Sequence, residues 1–365
     1  MSKPRVLILG GTGFIGRNLV KYLVENDLCS KIRVIDKVLP VTAYFSKEIE
    51  EAFQKVEYKQ GNLGNEASIK KCFDDPDGKF QIVFNLAAET KYGQSEDVYQ
   101  EKVLDVAKKC AAQAKEVGVE RYIEVSTAQI YESSKKPSDE NAKLKPWTHL
   151  AKYKLQAEEA LKQMQVPGLI IVRPAIVYGP GDIQGISPRI ITAAVYKQLK
   201  EKMKFLWSGD LRMNTVHVYD VCAALWLISQ KGKVGSIYNL ADKNETNQKA
   251  VNVILEQIFG IETGFAGNMA STFAKMNMKS VTEDVNEKHL TPWAELCKQH
   301  GILSTPLTPY LDQELLYKNS HCIDGSKVEK ELGFQYKYPK MTKELVQEQL
   351  DYFLKLNLFP DLWKK

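Results

Sequence analysis

The chain has 365 residues, enough for one large α/β domain or two moderate ones, and its hydrophobic content of 44% is ordinary for a globular protein. Lysine and arginine (50) nearly balance aspartate and glutamate (45), so we expect no nucleic-acid or membrane partner. Six scattered cysteines without metal-ligand spacing predict reduced thiols and no metal site. Because the first strand begins close to Met1 and no apolar run approaches the ~20 residues of a membrane span, we expect a soluble, cytoplasmic protein.

The first forty residues carry the most informative pattern. An apolar run, Val6–Leu9, leads into a turn in which Gly11, Gly13 and Gly16 satisfy G-x-G-x-x-G, and helical apolar spacing follows. Glycines let the backbone approach a pyrophosphate, and the helix N-terminus supplies unpaired N–H groups. Asp36, at the end of the next strand, can accept both hydroxyls of an adenine ribose. The pattern predicts a dinucleotide site that prefers NAD to NADP. The alternative is a tight turn in an α/β fold without a ligand.

Short apolar strands alternate with helical stretches through the following residues. Strands are predicted at 56–60, 82–86, 122–126 and 169–173, and helices at 69–73, 98–117 and 148–164. Such alternation predicts a Rossmann-like, doubly wound parallel sheet with helices on both faces. Ligands of such sheets bind at the carboxyl ends of the strands.

The pattern becomes irregular in the second half. We predict an NAD-binding Rossmann domain over residues 1–180 and a mixed, smaller C-terminal substrate or lid region over 181–365. Within the latter, the helix and strand of 218–245 return to the Rossmann core. Residues 265–319 mix Met, Lys, Thr and Pro without a clear period, which favours a lid or an insertion. A terminal helix is predicted over 341–356.

Five further segments follow the glycine turn in order: Gly61-Asn62-Leu63, Asn85-Leu86-Ala87-Ala88, Val125-Ser126-Thr127 through Ile130-Tyr131, Arg173 to Gly181, and Val216 to Val221. Over roughly residues 4 to 245, the chain thereby resembles the extended short-chain dehydrogenase/reductases, the NAD-dependent epimerase/dehydratase family. The resemblance implies NAD as cofactor and a small carbonyl, hydroxyl or nucleotide-linked substrate. The cofactor-binding positions that it implies, together with the glycine turn, are Gly10, Thr12, Gly13, Phe14, Ile15, Gly16, Asp36, Asn62, Leu63, Leu86, Ala87, Ala88, Lys154, Pro174 and Ile176.

The residues implied to do the chemistry depart from the family's pattern. Family members carry Y-x-x-x-K on the helix after the fifth strand, and the segment 146–158 aligns Lys154 with this lysine but Leu150 with the tyrosine. The i, i+4 spacing places both positions on one helical face, where the ammonium favours a phenolate that moves a proton during hydride transfer. Leucine has no proton to transfer. We predict Thr127, at the family's hydroxyl position, Lys154 and Tyr153 as the catalytic residues.

Two functions remain open from the sequence. The first is an NAD-dependent oxidoreductase or epimerase in which another group, with His149, Tyr178 and Glu89 as further candidates, supplies the proton. The second is a catalytically inactive NAD-binding subunit, structural or sensory, of a larger assembly; a homodimer is also open. Arg212 lies one residue off the position from which family members hold a substrate diphosphate. The alternative, that Arg212 is an ordinary surface residue, is equally consistent with the sequence.

Overall fold

The computed structural model describes residues 3–363, apart from the side chains of 268–270. The strands are β1 (Arg5–Leu9), β2 (Lys31–Asp36), β3 (Glu57–Gln60), β4 (Ile82–Asn85), β5 (Arg121–Val125), β6 (Leu169–Pro174), β7 (Ile176–Tyr178), β8 (Met203–Phe205), β9 (Thr215–His217), β10 (Ile237–Leu240) and β11 (Thr263–Phe265). The helices are α1 (Phe14–Glu25), α2 (Lys47–Phe53), α3 (Glu66–Phe73), α4 (Glu96–Tyr99), α5 (Val106–Glu116), α6 (His149–Gln163), α7 (Ser187–Leu199), α8 (Val218–Lys231), α9 (Gln248–Phe259), α10 (Asn268–Met276), α11 (Met278–Gln299), α12 (Gln313–Leu316), α13 (Lys327–Leu332) and α14 (Lys343–Lys355). A π-helical segment, Gln100–Asp105, joins α4 to α5.

The main sheet has seven parallel strands in the order β10-β6-β5-β4-β1-β2-β3. This confirms the predicted Rossmann-like, doubly wound fold. The chain winds outward from β1 to β3 and then returns to the other side of β1 with β4. The strand order therefore reverses between β1 and β4, and the crevice at their carboxyl ends is where such folds bind ligands.

Helices cover both faces of the sheet, and successive side chains of a strand point to opposite faces, so side chains on both faces are buried. Val6 and Ile8 of β1 pack into the core that contains the apolar residues of α1 and α8. Leu7 and Leu9 pack on the other face, against α3 and α5. This explains why the strand is a continuous apolar run and does not alternate with polar residues.

Residues 218–240 complete the sheet although they follow an irregular stretch. Helix α8 packs against α1, and β10 pairs with β6 through Tyr238 and Val172. Two small parallel pairs, β7 with β9 and β8 with β11, lie outside the main sheet.

Between residues 265 and 319, where the sequence shows no clear period, the structure contains the 22-residue helix α11. The role of this segment as a lid or an insertion stays a prediction. Its residues Trp293, Leu296 and Cys297 are buried in the same core as the main sheet's helices. The largely polar helix contains Pro292, and both features hide its period in the sequence. Within residues 3–363, no helix has the length and apolar character that a membrane span requires.

Candidate active site

The glycine turn is packed tightly between β1, β2 and β4. Gly10 has a φ of +79°, and a Cβ atom at this position would lie 2.7 Å from the backbone nitrogen of Ala87. A Cβ at Gly16 would lie 2.5 Å from the carbonyl oxygen of Gly10. The N–H of Gly10 also donates to the carbonyl of Ile35 at 2.8 Å, which ties the turn to the end of β2. These two positions need glycine because of the protein's own backbone.

Gly13 is different, since a Cβ there would meet only the carbonyl oxygen of Gly10, at 3.2 Å. Its φ of −64° is open to any residue, and among the described residues no side chain caps the helix α1 that it begins. The N–H groups of Phe14, Ile15 and Gly16 occupy the first turn, where helix geometry provides no acceptor. The turn therefore fits a pyrophosphate, which would accept these N–H groups and lie against Gly13.

The carboxylate of Asp36 lies beside this turn at the end of β2. One oxygen accepts the N–H of Thr12 at 3.1 Å, and the other accepts the N–H of Val38 at 3.1 Å. The side chain is only half-buried, so lone pairs remain for ribose hydroxyls. A 2′-phosphate would meet this negative charge, although Lys37 next to it is exposed.

Other predicted cofactor positions lie along the same edge of the sheet. Asn62 is exposed after β3, where its side-chain oxygen accepts the N–H of Gly64 at 2.9 Å, and Leu63 is buried. Leu86 follows β4 and donates its N–H to Leu9 at 2.9 Å. These residues thus lie at the carboxyl ends of β3 and β4, which are separated by β1 and β2 in the sheet.

The last positions line the β4 and β6 ends. The N–H of Ala87 points to the side-chain oxygen of Asn85 at 3.3 Å, and Ala88 packs near Leu150. Pro174 ends β6, and the N–H of Ile176 is already used by a carbonyl of the β9 side. Contact of these residues with NAD stays a prediction.

Lys154 is buried, and its ammonium is tied to the strand ends. It donates to the carbonyl of Val125 at 2.7 Å and to the carboxylate of Glu124 at 3.3 Å. The other oxygen of Glu124 accepts the side-chain N–H of Asn85 at 2.6 Å. Burial raises the pKa of Glu124, and Lys154 and Asn85 oppose this rise. Two of the three N–H groups of Lys154 are occupied, so at most one serves the ribose of a cofactor.

Leu150 and Tyr153 belong to an apolar group, the Tyr99 cluster, that consists of Tyr99, Val103, Leu150 and Tyr153. Leu150 is 8% exposed. The ring of Tyr153 stacks on that of Tyr99 with centroids 5.9 Å apart, on the side of α6 that faces α4. Packing accounts for the position of Tyr153, and its catalytic role stays a prediction.

Thr127 is half-buried at the end of β5, where its hydroxyl oxygen accepts the N–H of Gln129 at 3.2 Å. Its own O–H stays available as a donor. Gln129 connects this hydroxyl to Tyr92, because its side-chain amide donates to the phenol oxygen at 2.8 Å. Thr127 and Tyr92 therefore present two hydroxyl groups at the carboxyl edge of the sheet.

The C-terminal region reaches this edge through Glu314 of α12. One carboxylate oxygen accepts the backbone N–H of His149 at 2.8 Å and lies 2.9 Å from its ring Nδ1. The other oxygen is buried and has no hydrogen-bond partner in the described part of the chain. Burial raises the pKa of Glu314. Tyr178, by contrast, is fully buried against His217.

Comparison with known proteins decides the family. The pattern that defines the NAD dependent epimerase/dehydratase family matches residues 6–241. The chain belongs to this family. Human (Homo sapiens) dTDP-D-glucose 4,6-dehydratase is 31% identical over 258 residues, which cover 66% of this chain and 70% of the relative. The 4-hydroxy-2-methyl-3-oxo-4-farnesyl-3,4-dihydroquinoline-1-oxide ketoreductase of Stigmatella aurantiaca is 26% identical over 272 residues, 71% of this chain and 74% of the relative.

Solved structures agree on the fold of this family member. The Bordetella bronchiseptica enzyme WbmG, in complex with NAD and UDP, superposes with a TM-score of 0.69 at 20% identity, over 98% of this chain and 97% of that one. UDP-glucuronic acid 4-epimerase from Bacillus cereus, in complex with NAD, gives a TM-score of 0.69 at 16% identity, over 96% and 99%. Membership of an NAD-dependent family confirms the predicted cofactor.

The site of this epimerase/dehydratase family member contains residues that the sequence analysis missed. Glu124 carries a signal, since a carboxylate inside an apolar strand needs a buried partner. Gln129 lies two residues from Thr127, so its proximity was open to prediction. Tyr92 and Glu314 carry no local signal, because their contacts depend on segments far apart in the chain.

Proposed function

We propose that this protein is an NAD-dependent oxidoreductase or epimerase that acts on a carbonyl or hydroxyl group of a nucleotide-linked sugar. A group other than a side chain at position 150 supplies the proton. The proposal rests on one observation: the hydroxyl of Thr127 lies at the carboxyl edge of the same sheet whose glycine turn and Asp36 fit the cofactor. A reacting sugar oxygen would lie between this hydroxyl and the nicotinamide.

The chain's own residues do the following in this proposal. The N–H groups at the start of α1 bind the pyrophosphate, and Asp36 accepts the adenine ribose hydroxyls. When bound, NAD accepts or supplies a hydride. The Thr127 hydroxyl donates to the substrate oxygen, which polarises its carbonyl. The pair of Lys154 and Glu124 fixes α6 against the strand ends, while Leu150 of the same helix packs in the Tyr99 cluster.

Arg189 supports a substrate that carries phosphate. One guanidinium nitrogen donates to the side chain of Gln248 at 3.0 Å, and the group lies 4.6 Å from the ring centroid of Phe205. Its Nη1 is buried and has no hydrogen-bond partner within residues 3–363. Burial lowers the pKa of Arg189 to about 10, so the group stays charged at neutral pH. Arg189 is half-buried and no carboxylate pairs with it within residues 3–363, so a substrate phosphate would supply the missing negative charge.

Arg212 is the residue that the sequence places near the family's diphosphate position. Its guanidinium already has partners within the chain. Its guanidinium pairs with the carboxylate of Glu245 and donates to the carbonyl of the same residue at 2.5 Å. Arg189 therefore takes the phosphate in our proposal. The nucleotide-linked class also agrees with the names of similar proteins, which include a dTDP-D-glucose dehydratase and structures with UDP or UDP-glucose.

The test is turnover. The protein is incubated with NAD or NADH and with UDP-glucose, UDP-glucuronic acid or dTDP-glucose, and products are identified by mass spectrometry and NMR. Epimerisation, dehydration or redox change of one of them supports the proposal. Retention of bound NADH without conversion of any of the three counts against it and favours an inactive cofactor-binding subunit.

A further inference from the structure

Tyr92 makes both an apolar contact and a hydrogen bond near the proposed site. The residue follows β4 and packs against the Tyr99 cluster, which contains Leu150. Its phenol oxygen accepts the amide N–H of Gln129 at 2.8 Å. The backbone N–H of Gln129 meanwhile donates to the hydroxyl of Thr127. Tyr92 thus packs on the cluster that contains Leu150, and its phenol belongs to the same hydrogen-bond network as Thr127.

The direction of this network leaves the proton of Tyr92 free. The hydroxyl oxygen of Thr148 accepts the N–H of Ala151 at 3.0 Å, and its O–H donates to the side-chain oxygen of Gln129 at 3.1 Å. The amide oxygen of Gln129 is thereby assigned, so its NH₂ group faces Tyr92 and donates to it. A phenol oxygen that accepts from Gln129 keeps its own O–H for another acceptor.

The groups around Tyr92 favour its neutral form. Burial, helped by the negative charges of Glu314 and Asp182, raises the pKa of Tyr92 to about 12 although the hydrogen bond from Gln129 lowers it. Lys154, the cation that would favour a phenolate on α6, is bound to Glu124 and the carbonyl of Val125. The phenol therefore stays protonated at neutral pH, as a proton donor must.

We propose that Tyr92 is the proton donor of the reaction, placed where it contacts the Tyr99 cluster that contains Leu150 of α6. This assignment rests on the proposed function. In carbonyl reduction, the carbonyl carbon gains a hydride from NADH, which is oxidised to NAD⁺, and the carbonyl π electrons move to oxygen. That oxygen takes the proton of Tyr92 as the phenol O–H bond breaks. The phenolate regains a proton from water.

The first experiment compares turnover of Tyr92→Phe with that of the parent on whichever of the three nucleotide sugars the parent converts. Loss of a general acid typically lowers the rate about a hundred- to ten-thousand-fold, and we expect this loss with NADH affinity unchanged. Tyr310→Phe, which removes an exposed phenol, is the matched control. Turnover of Tyr92→Phe within about threefold of the parent would overturn the assignment.

A swap separates the chemical role from a structural one. In Tyr92→Phe/Leu150→Tyr, a phenol returns to the face of α6 that carries Lys154, while the ring at position 92 keeps its packing. We expect the double variant to recover about tenfold or more of the rate that Tyr92→Phe loses, which a merely structural Tyr92 would not allow. No recovery, with the double variant folded and binding NADH, contradicts the proposal.

A third measurement does not depend on turnover. Difluorotyrosine at position 92 brings the phenol ionisation into a pH range where the folded protein can be titrated by ¹⁹F NMR. Because NAD⁺ has a positive nicotinamide and NADH does not, a phenol next to that ring should ionise about 1 pH unit lower with NAD⁺ bound. If the phenol at position 92 has the same pKa with NAD⁺ bound as with NADH bound, Tyr92 lies away from the reacting centre. This conclusion holds whether or not the parent turns over. An inactive parent, by contrast, counts against the proposed function.

Discussion

The carboxylate of Glu124 in β5 lies 3.3 Å from the ammonium of Lys154 in α6, and both side chains are buried. The pair holds the catalytic helix of the proposed enzyme against the ends of β4 and β5, because Asn85 binds the second carboxylate oxygen. The ammonium of Lys154 therefore uses part of its hydrogen-bonding capacity within the fold, and less remains for a cofactor and a phenol. This use agrees with the absence of a tyrosine four residues before Lys154.

Replacement of the lysine tests this pair. Lys154→Met leaves Glu124 buried without its cation, and removal of one partner of a buried pair costs about 3–5 kcal/mol. Burial already raises the pKa of Glu124 in the folded state, and loss of Lys154 raises it further. The folded carboxyl then holds its proton more tightly than the unfolded one, so the cost is absent at low pH and grows as pH rises through the folded pKa.

Urea unfolding of Lys154→Met and the parent at about pH 5 and pH 8 measures this difference. We expect a larger loss at the higher pH. Lys162→Met, which removes an exposed lysine from the same helix, serves as control. An equal loss at both pH values would mean that Glu124 does not carry the cost.

The two glycines of the turn should respond differently to valine. Gly13→Val adds a side chain whose Cβ would meet only the carbonyl oxygen of Gly10, at 3.2 Å, so we expect a folded protein whose NADH affinity falls about a hundredfold or more because the pyrophosphate is displaced. Gly16→Val drives a side chain into the backbone of Gly10 and Gly11 and should destabilise the fold by about 1–3 kcal/mol or more.

Circular dichroism melts and calorimetric titration with NADH distinguish these effects. A Gly13→Val protein that melts like the parent and binds NADH like the parent would remove the phosphate site from the glycine turn. Equal destabilisation by the two substitutions would contradict the difference in space that the structure predicts.

Asp36 should set the preference for NADH over NADPH. Its carboxylate accepts ribose hydroxyls and repels the negative charge of a 2′-phosphate, and a hydrogen bond to a charged group contributes about 1.5–3 kcal/mol, or about tenfold to a hundredfold in affinity. Asp36→Ala should narrow this preference by weakening NADH and strengthening NADPH binding. Calorimetry with both cofactors is the measurement, with Lys37→Ala as the neighbouring control. Parent affinity for NADPH equal to that for NADH refutes the role of Asp36.

Arg189 should contribute to binding of a nucleoside diphosphate. A hydrogen bond to a charged group contributes about 1.5–3 kcal/mol, so Arg189→Gln should weaken UDP binding to the NADH-loaded protein about ten- to a hundredfold. Binding of uridine, which has no phosphate, should be unchanged, and Lys204→Gln, at an exposed lysine of β8, should bind UDP like the parent. Equal UDP affinity of Arg189→Gln and parent would assign the phosphate contact elsewhere.

The sequence alone predicted the nucleotide half of the proposed site. The glycine turn, the start of α1 and Asp36 lie within 31 residues of one another, from Val6 to Asp36, and their roles follow from backbone sterics and helix geometry. The order of strands and helices was also readable, because apolar runs and helical spacing are local features. Helix α11 was not readable, since its largely polar sequence and Pro292 obscure the period.

Only the tertiary structure decided how the chemistry-bearing residues meet. Gln129 binds Tyr92 across 37 positions, Glu314 reaches His149 across 165, and Arg189 meets Gln248 across 59. No local propensity or period encodes such pairs, because they arise when the winding of the sheet brings loop ends together at one edge. The sequence therefore shows that position 150 carries leucine, whose side chain has no proton to transfer. The fold alone packs Tyr92 against the cluster that contains Leu150 and joins its phenol to Gln129.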